Sequence, residues 1–217
     1  IDKAIELGMS GIAITDHECL GSHIEVNQYA KEIRETHPDF TIALGNEIYL
    51  TDDRSSGQKY YHFILIAKDE IGHKQIRQLS TRAYGQSFMK SRMRRVPTYY
   101  SDLEDIVGKN PGHIIASTAC IGGYFGKTIL KASKFEKDEE LFGEELIKLR
   151  SWCEYLQCIF GKENFFLELQ PSDNNEQVYV NKWLLKFSEE LGIPAIVTTD
   201  SHYLTKEDRA VHKAYLN

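Results

Sequence analysis

Short apolar segments recur along the chain and are separated by longer segments in which apolar positions repeat with a helical period. The apolar segments are about as long as β-strands and are rich in Ile, Val, Phe and Thr. They lie at 11–15, 41–50, 61–67, 113–117, 165–170 and 195–199. Amphipathic helices are predicted at 22–36, 72–84, 138–160 and 176–191. This alternation predicts an α/β fold with a largely parallel sheet or barrel.

Two parts of the chain depart from that alternation. Only about ten polar residues, 51–60, separate the second predicted strand from the third, which favours a hairpin over a helical crossover. The chain also begins at Ile1 within a segment that already has a helical pattern and that ends at Gly8. We therefore expect the sequence to be a fragment whose first structural element is missing.

The composition of the chain is typical of a globular protein. The chain has 217 residues, 41% of them hydrophobic, which suits one globular domain spanning residues 1–217. With 26 basic and 32 acidic residues the net charge is -6, so the whole chain has no positive surplus for a nucleic-acid backbone. We expect a cytoplasmic protein without a membrane segment, and its four cysteines are expected to be reduced.

Side chains of the types that bind metal ions gather at the predicted strands, mostly near their ends. The candidate ligands are His17, Glu47, His62, Cys120, Asp200 and His202. In an α/β barrel the carboxyl ends of the strands lie on one face, so residues far apart in sequence can meet there around an ion. A single strand-end Asp or His is usually a cap or a hydrogen-bonded polar residue. Here, however, the Asp and His pairing recurs after two separate strands.

The mixture of ligand types indicates the metal and the reaction. Imidazole, carboxylate and thiolate together favour Zn²⁺, Mn²⁺ or Fe²⁺ over Ca²⁺ or Mg²⁺. A glutamate such as Glu47 can bridge two ions, and paired ions stabilise both the attacking and the leaving oxygen of a phosphoester. Metal-dependent phosphoester hydrolysis is therefore predicted. Asp16 is expected to orient the site, and Asp16, His17 and Asp200 are the candidate catalytic residues.

The other histidines and cysteines are interpreted as structural. His23, His37 and His73 lie in polar segments and are predicted to be solvated at the surface. Cys153 and Cys158 lie among aromatic and aliphatic residues of one helix and are predicted to pack in the core. Glu168, within a predicted strand, and His212, within a predicted helix, are weaker candidates for ligands.

One segment is strongly basic. Residues 85–100 place Lys90, Arg92, Arg94 and Arg95 among aromatic side chains. Such a segment is either an exposed surface loop or a contact for phosphate or nucleic acid, and the sequence leaves both interpretations open.

Several motifs follow one another along the chain: ITDHECLGSHIEVNQYAKE, ALGNEIYLTDD, ASTACIGG and GKENFFLELQ. In this order and spacing they resemble the N-terminal polymerase and histidinol phosphatase (PHP) domain of bacterial DNA polymerase III alpha subunits. The segments HFILIAKDEIGHKQIRQLSTRAY and TTDSHYL resemble the polymerase branch in particular. The resemblance extends over essentially the whole chain.

This resemblance implies a distorted (β/α)7 barrel, similar to a TIM barrel, that holds up to three divalent transition-metal ions. It implies that Glu47 bridges two ions and that His62 and Cys120 complete the site of one of them. Asp200 would share the other ion with a His-x-His pair of the first strand, and His17 and His202 would hold a third. That pair is absent from the sequence, so we expect the family's first strand to have been truncated.

The resemblance also implies a part in a DNA-directed DNA polymerase, a nucleotidyltransferase. The domain itself would be a phosphoesterase with 3′ to 5′ exonuclease activity for proofreading. Its partners would be DNA, reached through the full polymerase, and replisome subunits such as a proofreading exonuclease. The alternatives are an inactive scaffold that binds such an exonuclease, a domain that binds metal only for stability, and a free-standing phosphatase resembling histidinol phosphatase.

Overall fold

The structure is a computed structural model that describes residues 1–52, 59–90 and 92–215. The strands are β1 (Gly11–Ile14), β2 (Thr41–Thr51), β3 (Tyr61–Ala67), β4 (Phe88–Lys90), β5 (Met93–Arg95), β6 (Pro97–Tyr99), β7 (Ile114–Ser117), β8 (Phe165–Leu169) and β9 (Ala195–Val197). The α-helices are α1 (Asp2–Glu6), α2 (His23–Thr36), α3 (Glu70–Gly85), α4 (Tyr100–Leu103), α5 (Tyr124–Ala132), α6 (Glu139–Phe160), α7 (Asn175–Leu191) and α8 (Arg209–Tyr215). No helix in these described ranges is long and apolar enough to cross a membrane.

The main sheet has seven strands and mixed directions. Its order is β1-β2-β3-β7-β8-β9, and β6 pairs with β2 on the same edge as β1. β1 is parallel to β2, and β8 is parallel to both β7 and β9. Among the described strands of this sheet, β3 is antiparallel to both β2 and β7, and the other pairings are parallel, which agrees with the predicted largely parallel sheet. The predicted hairpin between β2 and β3 is thus confirmed, although residues 53–58 of its turn lie outside the described residues.

The sheet curls toward a barrel. β1 and β9 are its two ends, and the segments that follow them approach each other: the ring centroids of His17 and His202 are 5.9 Å apart. Among the described residues, no hydrogen-bonded ladder joins β1 to β9. The fold is therefore an α/β half-barrel, in agreement with the predicted distorted TIM-like barrel.

The hydrophobic core lies between the sheet and the helices α3, α5, α6 and α7. Phe63 of β3 is almost fully buried, and its ring contacts Trp152 and Phe160 of α6 at centroid distances of 6.2 and 5.8 Å. Cys153 is buried on the same helix, as predicted, but the prediction for Cys158 was wrong because its side chain is exposed. Five positions along an α-helix correspond to a rotation of about 140°, which carries Cys158 away from the core-facing side.

The prediction that His23 is solvated was also wrong. His23 is 5% exposed, and its Nε2 atom lies 2.9 Å from the carbonyl oxygen of Gly45. Its Nδ1 atom lies 3.1 Å from Nε2 of His73, which is half-buried. Both ring nitrogens of His23 therefore have polar partners, and this allows a polar ring to be buried. His37 is exposed, as predicted.

Candidate metal centre

The segment after β1 holds His17 against the middle of β2. The amide of Glu47 donates to the carbonyl of Asp16 at 3.0 Å, and the amide of Glu18 donates to the carbonyl of Glu47 at 2.9 Å. His17 and Glu47 thereby form an isolated parallel bridge beyond the end of β1. Because Glu18 adopts a φ of 59°, in the left-handed region, the chain turns away immediately after this bridge.

The side chain of Asn46, which precedes Glu47 in β2, also holds the segment that carries His17. Its side chain is 1% exposed, and Nδ2 donates to the carbonyls of Asp16 at 2.7 Å and of Cys19 at 3.1 Å. The Asp16 carboxylate accepts a hydrogen bond from the hydroxyl of Ser22, next to the beginning of α2. Asp16 thus has contacts that suit the orienting role predicted for it. The sequence reasoning missed Asn46, although an amide within the apolar segment ALGNEIYL is a signal that was available.

His17, Glu47 and His62 form a compact group whose ligand atoms all lie within 4.8 Å of one another. Oε1 of Glu47 lies 2.6 Å from Nδ1 of His62 and 3.7 Å from Nδ1 of His17. Glu47 is buried, whereas the side chain of His17 is 39% exposed. Ligands bound about 2.0–2.2 Å from a zinc ion lie a few ångströms from one another, so this donor set fits a divalent transition ion after small adjustments.

His62 reaches this group because β3 runs against its neighbours. It is the second residue of β3 and lies opposite Tyr49 in the pairing with β2. The beginning of β3 therefore lies near the ends of β1 and β7, where the parallel strands deliver His17 and Cys120. The sequence predicted the residue, and the predicted hairpin between β2 and β3 already implied that its strand runs antiparallel to β2.

Cys120 lies beside His62 in a narrow space. Its Sγ is 3.4 Å from Nδ1 of His62 and accepts a hydrogen bond from the amide of Gly122 at 3.3 Å. A Cβ atom at Gly122 would lie 3.2 Å from Nδ1 of His62 and 3.3 Å from this sulfur, and a Cβ atom at Gly123 would lie 2.2 Å from the carbonyl oxygen of Thr118. The two glycines after Cys120 therefore allow the backbone to approach both ligands closely.

The surroundings of His62 favour its protonated form in the metal-free protein. Burial alone would lower its pKa, but the hydrogen bonds with Cys120 and Glu47 outweigh that effect and raise the pKa to about 9. Since only the neutral imidazole nitrogen is a ligand, a metal ion that binds Nδ1 must displace this proton.

Asp200 and His202 lie at the rim of the group. The ring centroid of His202 lies 5.9 Å from that of His17. Nδ1 of His202 lies 2.8 Å from the carbonyl oxygen of Asp200 and 3.6 Å from Oδ1 of the same residue. On its other side the ring of His212 is 5.2 Å away. The structure therefore brings together His17, Glu47, His62 and Cys120 and sets His202 beside them. Within the described residues, the carboxylate of Asp200 contacts His202 and does not join the compact group.

Glu168, the weaker candidate, is occupied by a hydrogen-bond network. It is 4% exposed. Its carboxylate accepts from the hydroxyl of Ser117, from Nε2 of Gln170 at 3.1 Å and from Oγ1 of Thr198 at 2.5 Å. These contacts tie β8 to the adjacent ends of β7 and β9 and give Glu168 a structural role.

Two side chains next to the group were missed in the sequence reasoning. The ring of Tyr49 packs against those of His17 and His62, at centroid distances of 5.8 and 5.1 Å. Tyr49 lies two residues after Glu47 in one strand, so the alternation of β-strand side chains was the available signal. Burial raises the pKa of Glu18, an effect that the positive charge of Arg95 and a hydrogen bond from the amide of Val96 partly offset.

Residues 1–172 match the family described as "PHP domain". The chain belongs to this family. It is 40% identical over 230 aligned positions to the DNA-directed DNA polymerase of Bacillus phage SPbeta, covering 100% of this chain and 18% of that protein. It is 33% identical over 220 positions to DNA polymerase III subunit alpha of Borreliella burgdorferi, covering 96% and 16%. The chain thus spans less than a fifth of the length of these relatives.

Among solved structures, a chain of Bifidobacterium adolescentis described as a candidate metal-dependent phosphoesterase aligns with a TM-score of 0.48 and 13% identity. The alignment covers 95% of this chain and 81% of that one.

Proposed function

We propose that this chain is the PHP domain of a DNA polymerase III alpha subunit and that it hydrolyses phosphodiesters at a divalent metal centre, with 3′ to 5′ exonuclease activity on DNA. The observation that carries the proposal is the compact group of His17, Glu47 and His62, with the thiol of Cys120 beside it. The polymerase assignment is supported by the relatives, two of which are named as DNA polymerases.

Contacts at the centre support the proposed ligands of two ions. Glu47, His62 and Cys120 would hold one ion, and His17 and His202, whose rings are adjacent, would hold another. Asp200 would join the ligands of a further ion from the rim, so that the intact centre holds up to three ions of zinc, manganese or iron. A bound divalent ion would supply Lewis-acid polarisation of a phosphoryl oxygen.

The protein's own side chains would fix the ligands and admit the substrate. Asp16 and Asn46 hold the segment that carries His17, and Glu47 is shielded from water. The side chains of His17 and His202 are each 39% exposed, so the substrate would approach from their side of the centre.

Further parts of the proposal concern the whole protein. We propose that residues 1–217 form one domain, which is supported by a buried hydrophobic cluster that extends from Ile48 to Ile193. The partners would be DNA and replisome subunits such as a proofreading exonuclease, and the location would be the cytoplasm, where four free cysteines would remain reduced.

The test combines metal analysis with hydrolysis. We expect the chain to retain zinc, manganese or iron and to shorten a 3′-mismatched single-stranded oligonucleotide. His62→Ala and Glu47→Gln are expected to lose metal and to reduce the rate of hydrolysis by at least about 100-fold. Replacing a residue that only hydrogen-bonds to a metal ligand already lowers metal affinity or activity by about 10–100-fold. His37→Ala removes an exposed histidine and is the matched control, with unchanged activity expected.

Other results would identify the alternatives. A chain that binds no metal and degrades no DNA would support the scaffold, and one that binds metal but hydrolyses nothing would support a purely structural metal site. Hydrolysis of histidinol phosphate without hydrolysis of DNA would support the free-standing phosphatase. Normal hydrolysis by His62→Ala and Glu47→Gln would show that the reaction occurs elsewhere.

A further inference from the structure

The basic segment forms a hairpin next to the metal centre. β4 and β5 are paired, and the chain then continues directly into β6. β6 pairs with β2 at Tyr49–Thr51, just beyond Glu47. Arg95, the last residue of β5, is therefore brought to the end of β2 that contributes to the centre.

A second contact fixes this position. The amide of Val96 donates a hydrogen bond to the carboxylate of Glu18, the residue that follows His17. Arg95 is close enough to Glu18 and to Tyr49 that its positive charge opposes the rise in pKa that burial causes in both. The Tyr49 ring contacts the rings of His17 and His62, and Tyr49 pairs with Pro97, which lies two positions after Arg95 in the chain.

Within the described residues, the guanidinium of Arg95 is held by an aromatic ring and a thioether rather than by an ion pair with a carboxylate. Its Cζ atom lies 5.3 Å from the centroid of the Tyr60 ring, and Nη2 is 4.0 Å from Sδ of Met93. Within the described part of the chain, its buried Nε atom has no hydrogen-bond partner. By contrast, Nε of Arg94 on the same hairpin donates to the hydroxyl of Ser87 at 3.1 Å. An oriented guanidinium whose Nε has no protein acceptor keeps a donor for an anionic ligand.

Electrostatics favour the same role. The chain carries a net charge of -6, and the carboxylates of Glu18 and Glu47 face the centre, so a phosphate-rich strand would be repelled unless a local positive charge offset them. Arg95 is such a charge, and the Tyr60 ring beneath it limits the orientations that the guanidinium can adopt.

We propose that Arg95, supported by Tyr60, binds a phosphodiester group of a single-stranded nucleic acid, next to the phosphate that lies at the metal centre. Arg95 is then a positioning residue that sets the preference for a polynucleotide strand over a small phosphoester. This inference rests on the proposed phosphodiester hydrolysis, but the binding of a strand can be measured without any reaction.

The first experiment measures binding in EDTA, where metal-dependent hydrolysis is absent. A fluorescently labelled single-stranded oligonucleotide is titrated with the chain and with Arg95→Gln, Arg95→Lys and Arg34→Gln at several salt concentrations. Arg34→Gln removes an exposed charge in the last turn of α2 and is the matched control. Arg95→Gln is expected to raise the Kd about tenfold, as expected for one charge-assisted contact.

The salt dependence separates phosphate binding from a structural role. Loss of one phosphate contact on a single strand should reduce the slope of log K against log salt concentration by about 0.7. We expect this reduction in Arg95→Gln, the original slope in Arg95→Lys, and no change in Arg34→Gln. The inference is overturned if the chain does not bind the strand, if Arg95→Gln binds with unchanged affinity and slope, or if Arg34→Gln shows the same loss.

The second experiment uses hydrolysis of two substrates. Bis(p-nitrophenyl) phosphate has a single phosphate, so Arg95→Gln should raise the KM for the oligonucleotide about tenfold more than it raises the KM for this small substrate. Equal losses on both substrates would overturn the inference. If the unsubstituted chain hydrolyses neither substrate, the proposed function fails, and the binding experiment still decides the role of Arg95.

Discussion

Replacing Asn46 with alanine tests whether the segment that carries His17 is held in place from β2. The side chain is buried, and its amide group donates two hydrogen bonds, to the carbonyls of Asp16 and Cys19. Alanine removes both bonds without introducing a new polar group. It removes the side-chain donor from both carbonyls, in a segment that is partly accessible to water, while the carbonyl of Asp16 keeps the hydrogen bond from the amide of Glu47.

The magnitude follows from these two bonds. A hydrogen bond within a protein contributes about 0.5–1.5 kcal/mol net, so the loss of both corresponds to about 1–3 kcal/mol. Since Asp16 itself is exposed and water can replace one donor, we expect Asn46→Ala to lower the free energy of unfolding by about 2 kcal/mol. The measurement is urea denaturation in EDTA, where metal binding makes no contribution.

The same substitution should weaken metal binding, because the segment that carries His17 would lose its side-chain hydrogen bonds and be held opposite Glu47 by backbone hydrogen bonds. Loss of an orienting contact at a metal centre typically lowers affinity by about 10–100-fold, and we expect a change of this size in zinc titration calorimetry. Asn27→Ala, at an exposed position of α2, is the control and should change stability by less than about 0.5 kcal/mol. A folded Asn46→Ala protein with the original zinc affinity would refute this account of the site.

Three further predictions concern packing and pH. Gly123→Ala should lower the free energy of unfolding by about 3 kcal/mol, because its Cβ would lie 2.2 Å from a backbone oxygen. Gly143→Ala should raise it by about 0.5–1 kcal/mol, because this position in α6 has open space around it. Burial and the charges of His23 and Arg77 lower the pKa of His73. The free energy of unfolding should therefore decrease as the pH falls below about 6.5. In His73→Gln the contribution of this histidine to the decrease should be lost.

Thermal and urea unfolding measure all three. The sign for His73 follows because the unfolded chain takes up the proton at a higher pH than the folded chain, so acid favours unfolding. Equal stabilities of Gly123→Ala and Gly143→Ala would contradict the packing argument. Identical pH profiles for the unsubstituted chain and His73→Gln would show that this histidine does not contribute to the acid sensitivity.

Elements with a strong local pattern were predictable from the sequence. The strand 61–67 was predicted with the bounds that the structure has, and the helix 176–191 ends before Gly192, whose φ of 64° allows the left-handed turn there. β6 and the hairpin of β4 and β5 were not predicted, because each strand has only three residues and is defined by its pairing partner. Short strands of this kind depend on tertiary contacts rather than on their own sequence.

In the candidate site, too, residues with a local sequence signal were predictable, and residues placed by tertiary contacts were not. His17, Glu47, His62 and Cys120 were predicted because their side-chain types are unusual at strand ends, and the structure places them together. Arg95 was noticed only as part of a basic segment. Its place next to the centre depends on the pairing of β6 with β2, which no local pattern predicts.

The reversed direction of β3 makes part of the centre local in sequence. Glu47 and His62 belong to adjoining strands of one hairpin, so the folding of that hairpin alone brings two donors together. Cys120 and His202 come from much farther along the chain and arrive only when the rest of the sheet has assembled. Two donors of the centre are thus close in sequence and two are distant. Because the distant donors take their places only in the assembled sheet, tight metal binding requires the completed fold.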